Sequence, residues 1–242
     1  MKRLLFSALA ALLPQLACAE TGYYMVTVYD VEGQASIDYK YWNAHFKDRD
    51  TRAMPELGFG YGVTSRWYTE LSASWFQIGG SQTRHTGVQW QNDFLLTQGQ
   101  YDWDLALHTK VERQRDRADG YFYEIGPVFQ TEYWRTQFNF NVFLQRAVDN
   151  GKQNDTEMVY QWQIKHRWKS WLQPGLQGFG EVGKWNDWLP QRDQSHRAGP
   201  AVFGHVDVGP RGQQIKYEAA YLMGKNSDRP AKSFAMRAQY LF

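Results

Sequence analysis

The sequence predicts an all-β protein, a closed up-and-down antiparallel transmembrane barrel of about 12 strands. Three observations lead there. Polar and apolar side chains alternate with period two over most of the chain, aromatic residues reach 17% although mean hydropathy is negative, and the links between alternating segments are short and long in turn. A globular chain with so many aromatic residues would bring aliphatic ones to fill its core. A barrel in a bilayer needs an apolar, aromatic outside and accepts a polar, wet inside.

The first element is a secretory signal over residues 1–19: Lys2 and Arg3, an apolar stretch from Leu4 to Leu13, then Ala17, Cys18 and Ala19 at the cleavage spacing. The stretch is shorter than the roughly 20 residues a spanning helix takes. Lipidation at Cys18 would want an aliphatic residue where Gln15 stands. Cleavage after Ala19 removes the chain's only cysteine, so the exported chain has no disulfide, thiol nucleophile or zinc-thiolate site. It also leaves 25 basic against 25 acidic residues. That balance gives no basic footprint for nucleic acid. Residues 20–33 follow as a periplasmic lead-in or a lower extension of the first strand; Tyr23 to Tyr29 has strand composition, but a thirteenth strand would spoil the even count.

Residues 34–242 form the barrel. Strands are expected near 34–46, 53–64, 66–78, 84–97, 100–112, 120–131, 134–147, 156–170, 174–184, 195–207, 212–223 and 231–242. In one of them Met158, Tyr160, Trp162, Ile164, His166 and Trp168 share a face, opposite Val159, Gln161, Gln163, Lys165, Arg167 and Lys169. A helix would scatter both sets around its circumference. Tight turns are expected near Ser65, Gly99, Tyr133, Leu172 and Pro210, and longer links at 47–52, 79–83, 113–119, 148–155, 185–194 and 224–230. Short periplasmic turns alternating with longer outer loops put both termini in the periplasm. Aromatic residues fall where strands should cross the interfaces: Trp67, Tyr101, Trp103, Tyr133, Trp134, Trp168, Trp171 and Tyr240 toward the short turns, Trp42, Trp75, Tyr121, Trp185 and Trp188 toward the loops.

The chain ends on Phe242, with Tyr240, Ala238, Met236 and Phe234 at every second position before it. This segment resembles the C-terminal assembly signal of Gram-negative outer-membrane barrels, with Phe234, Met236, Tyr240 and Phe242 as its residues. The resemblance implies an outer-membrane location and the barrel-assembly machinery as a partner. In strand number and length the chain also resembles small monomeric porins of the oligogalacturonate and sialic-acid type. That second likeness is architectural, since no ligand motif is shared, and it implies a monomer.

With the aromatic face toward lipid, the polar face lines the bore, because a charge facing mid-bilayer costs roughly 2–4 kcal/mol. The expected lining includes Asp38, Lys40, Glu56, Glu70, Asp93, Asp102, Asp104, Lys110, Glu112, Glu124, Glu157, Lys165, Arg167, Lys169, Glu181, Arg197, Lys216, Glu218 and Arg237. Both signs are present. They allow a narrow, weakly selective porin-like channel for small solutes, or a non-conducting structural barrel cross-linked through its interior. Gly58, Gly60 and Gly62 face inward and favour space, unless neighbours such as Tyr68 and Phe76 fill it.

A third reading, an outer-membrane hydrolase, finds little support. Ser195 and His196 are strand neighbours and point to opposite faces. Asp104, His108 and Glu112 share a face, but positions four apart on a strand lie about 13 Å apart, beyond hydrogen-bond reach. Asp/His pairs at the loop rim, among His85, Asp187, Asp193 and His196, stay open. No cofactor or metal is expected. Lys47, Arg49, Arg52, Arg113, Arg115 and Arg117 on the outer links suit the phosphates of lipopolysaccharide, which joins membrane lipid among the expected partners.

Overall fold

The computed structural model describes residues 22–28, 31–47, 49–97, 99–210 and 212–242; the signal segment 1–19 and its cleavage site lie outside the described residues. Twelve long strands run up and down in chain order: β1 (Ala35–Phe46), β2 (Arg49–Thr64), β3 (Trp67–Ile78), β4 (Arg84–Leu95), β5 (Trp103–Gln114), β6 (Tyr121–Tyr133), β7 (Thr136–Val148), β8 (Glu157–His166), β9 (Gln173–Lys184), β11 (Ser195–Asp207), β12 (Gln214–Asn226) and β13 (Arg229–Leu241). A two-residue strand, β10 (Asp187–Trp188), folds back on the end of β9 and takes no part in closure. Every long strand is antiparallel to both neighbours, and β13 pairs with β1 from Leu241↔Ser36 to Ala231↔Phe46. The sheet therefore closes on itself and leaves no edge.

Period two sets the two surfaces. Along β7, Gln137, Asn139, Asn141, Phe143 and Gln145 are buried, while Phe138 and Phe140 between them are exposed. Ile37, Leu57, Phe59, Leu71, Trp90, Ile125, Leu176 and Met223 are likewise large, apolar and exposed. In water such a belt would be a liability. Facing lipid it is the outer band of a membrane barrel. No helix among the described residues is long and apolar enough to cross a membrane.

The links differ from the expected alternation. At the end opposite Phe242 the longest are 149–156 and 185–194, yet β1–β2 turns at 47–48 and β12–β13 at 227–228. At the Phe242 end, 65–66 and 134–135 are tight, while 96–102, 167–172 and 208–213 are longer. Polar residues expected in links, such as Arg49 and Arg52, belong to β2, where Arg49 pairs with Phe46 and Arg52 with Ala44. Strand β8 stops at His166, short of the expected 170.

The lead-in is the largest difference. Its described part, Gly22–Val28, lies inside the bore: Met25 is 0% exposed and Val26 5%. The chain leaves β1 at the Phe242 end, where Gly33 N donates to Gly62 O at 2.8 Å and Gly62 N to Gln34 O at 2.9 Å. It then turns back up the interior, so that Tyr23 reaches the ring of Trp42, near the far end of β1, at 5.1 Å. Two apolar clusters form on it. Tyr23 packs with Trp42, Phe46, Phe179 and Leu222, and Val26 with Ala106, Val128, Phe143 and Val159. Trp42, expected at the membrane interface, is thus turned inward and buried.

Candidate functional site: the barrel interior

Two charged networks occupy the wall at mid-height. On β13, β1, β2 and β3, Lys40 donates to Glu56 at 2.8 Å and to Glu70 at 2.6 Å, with Asp38 4.0 Å away. Arg237 donates to Asp38 through Nε at 2.8 Å and again through Nη2. Tyr68 donates to Glu70 at 2.9 Å, and Gln89 to Glu56 at 3.1 Å. Strand register brings them together, since Lys40 lies opposite Arg237 on one side and Glu56 on the other.

On β4, β5 and β6, His108 is 0% exposed, with Nδ1 2.6 Å from Asp93 and Nε2 3.1 Å from Glu124. A doubly protonated ring satisfies both carboxylates by donating to each. Lys110 also reaches Glu124, at 2.9 Å, and Gln145 from β7 hydrogen-bonds its other oxygen. Burying charges is costly unless they are paired and hydrogen-bonded. Here each buried carboxylate of the two networks has a cationic or amide partner.

The segment Gly22–Val28 sits between these walls, held by side chains. Val26 N donates to Gln161 Oε1 at 3.2 Å, Asn141 Nδ2 to Val26 O at 2.8 Å, and Arg237 to Met25 O at 3.4 Å. Lys40 lies 4.4 Å from the centre of the Tyr24 ring and the Arg197 guanidinium 4.5 Å from that of Tyr23. Arg197 is buried and donates to Ser233 at 2.8 Å. At the Phe242 end of the bore a cavity of about 370 Å³ remains, with Thr27 and Val28 in its wall. Lys165, Arg167, Lys216 and Arg237 line it with Glu218, five glutamines, Phe203 and Tyr217.

Of the expected lining, Asp38, Lys40, Glu56, Glu70, Asp93, Lys110, Glu124 and Arg197 are buried on the inner face. Lys165, Lys216, Glu218 and Arg237 border the cavity. Asp104 and Glu112 are half-buried, bonded to Thr97 and Gln114, and Glu181 is half-buried on β9. Four positions depart. Asp102 is exposed before β5, Glu157 is exposed at the first position of β8, and Arg167 and Lys169 lie past its last. The basic run is therefore not one strand face: Arg167 pairs with Glu132 at 2.8 Å, and Lys169 stacks on Trp168 and Trp171. The inward glycines leave no open space. A β-carbon at Gly60 would overlap the Tyr68 hydroxyl, one at Gly58 would crowd Glu70, and one at Gly62 would meet Val31 O. The residues missed were Gln161, Asn141 and His108, whose alternation was visible but whose partners were not.

No family model matches the sequence, and no curated protein does. Solved structures match its backbone. A KdgM porin superposes with TM-score 0.55 at 7% identity, covering 84% of this chain and 97% of the other; a NanC porin gives 0.57 at 10%, covering 84% and 98%. The chain has the fold of a small outer-membrane porin. At such identity the likeness is one of fold alone. Both proteins are named porins. In this porin-like barrel Ser195 faces inward and bonds Asn226, while His196 bonds Tyr160 and Gln194. His85 packs on Trp75. Among the described residues no group of His, Cys, Asp and Glu could hold a metal. Phe234, Met236, Tyr240 and Phe242 sit on the outer face at the closing seam.

Proposed function

We propose that the chain is a narrow, weakly selective channel for small solutes in the outer membrane of a Gram-negative bacterium. The observation that carries this is a cavity of about 370 Å³ leading into a bore lined by both signs of charge. Selectivity built from a charged ring needs one sign to dominate. The mid-bore networks cancel most of theirs. Twelve strands enclose less than the open 16-strand porins. Purified protein in a planar bilayer is expected to give discrete conductance steps smaller than those of large general porins, with weak ion preference.

A second reading is a non-conducting structural barrel. The ion pairs at mid-height and the segment packed between them favour it. Silent bilayers with protein that still shifts its gel mobility on boiling would establish it instead. In the outer membrane the Phe242 end faces the periplasm and the 149–156 loop faces outward, beside lipopolysaccharide. A Lys152→Cys variant should then react with an impermeant maleimide on intact cells, and Gln100→Cys should not; the reverse pattern inverts the barrel.

A further inference from the structure

We propose that Gly22–Val28 is a tethered blocker: the bore contains a binding site for an extended peptide, and the chain fills it with its own residues. This rests on the channel reading. The segment has no place in the sheet, and the wall recognises it as it would a ligand. Two amide side chains, Asn141 and Gln161, grip the backbone of Val26 from both sides, and Arg237 caps the carbonyl of Met25. Two buried cations lie over the faces of Tyr23 and Tyr24. Such contacts are strong where water is excluded.

The attachment suits a blocker. The hydrogen bonds joining Gly33 and Gln34 to Gly62 pin the chain at the Phe242 end and leave the part above it held by side chains alone. A pinned segment rebinds at high effective concentration. Its hold is lighter than that of a strand such as β13, which is laddered along its whole length to β1 and β12. Withdrawal would uncover Asn141, Gln161, Lys40, Arg197 and Arg237, polar groups that draw water into the bore. The open state is thus wettable, and the closed state satisfies the same groups with peptide.

The test compares the full chain with a variant lacking residues 22–28, both confirmed as folded by heat-modifiable mobility, in planar bilayers. The variant is expected to give larger and longer-lived steps, and a synthetic peptide of residues 22–28 added in solution should reduce them where a scrambled peptide does not. If the shortened chain does not fold, the full-length Tyr23→Ser, Tyr24→Ser, Val26→Ser variant replaces it. Its open fraction should rise about tenfold, the scale of one or two lost hydrogen bonds. Equal conductance from full and altered chains, or steps indifferent to the peptide, would overturn the blocker and leave the channel standing. Silence from every folded form would overturn both.

Discussion

Lys40 shows how the interior is held together. It is 3% exposed and donates to two carboxylates while a third lies nearby. Replacing it with methionine keeps the volume but strands Glu56 and Glu70, and breaking a buried pair from one side costs about 3–5 kcal/mol. Lys40→Met should lower stability in urea titrations of the detergent-refolded barrel by about that much, and adding Glu56→Gln and Glu70→Gln should recover most of the loss. An unchanged midpoint for the single variant would mean that the network is hydrated and carries no such load. Alternation alone put Asp38, Lys40, Glu56, Glu70 and Arg237 on the inner face. Which of them meet depends on register, and single-strand alternation does not encode register. The same limit hid the site of His108: the carboxylates on its own strand are out of reach, and its real partners, Asp93 and Glu124, are on the strands to either side.

Strands were legible from the sequence to within a few residues because the alternation is strong, and their ends less so for a physical reason. Above the membrane a ladder can continue into water with charged residues on both faces, so Arg49 to Arg52 read as a link but pair as strand. At β8 the error runs the other way. The pattern persists through Trp168 and Lys169, yet the strand ends at His166, and Lys169 only forms a bridge with Leu172 across the turn. The short turn between β12 and β13 carries a strained residue, Ser227 at φ 54°. A left-handed conformation costs an L-residue roughly 1–2 kcal/mol. Glycine relieves it while offsetting part of the gain with unfolded-state entropy. The backbone hydrogen bond from Ser227 N to Ser195 Oγ, at 3.1 Å, needs no side chain at 227. Ser227→Gly is therefore expected to raise the urea midpoint, by up to about 1 kcal/mol in stability; a lowered midpoint would show that the serine side chain contributes more than the strain costs.

At the scale of the whole molecule, closure and the apolar outer belt followed from composition and period, and the solved porin backbones agree with them. The contents of the bore did not follow. Tyr23 to Tyr29 has the composition of a strand but no partner in an even-numbered barrel, and nothing local distinguishes a segment below the barrel from one threaded up its axis. Trp42 was misplaced for the same reason: its inward position makes sense only with Tyr23 in front of it. The space expected beside Gly58, Gly60 and Gly62 is taken by Glu70, Tyr68 and the returning chain at Val31. The central claim is that the barrel's own N-terminal segment fills its interior, and cysteine protection tests it most directly. A Val26→Cys variant of the folded barrel, treated with a small membrane-permeant maleimide, should stay unlabelled until the protein is boiled, while Lys152→Cys on the exposed 149–156 loop labels at once. Labelling at position 26 as fast as at 152 in the folded protein would contradict the account.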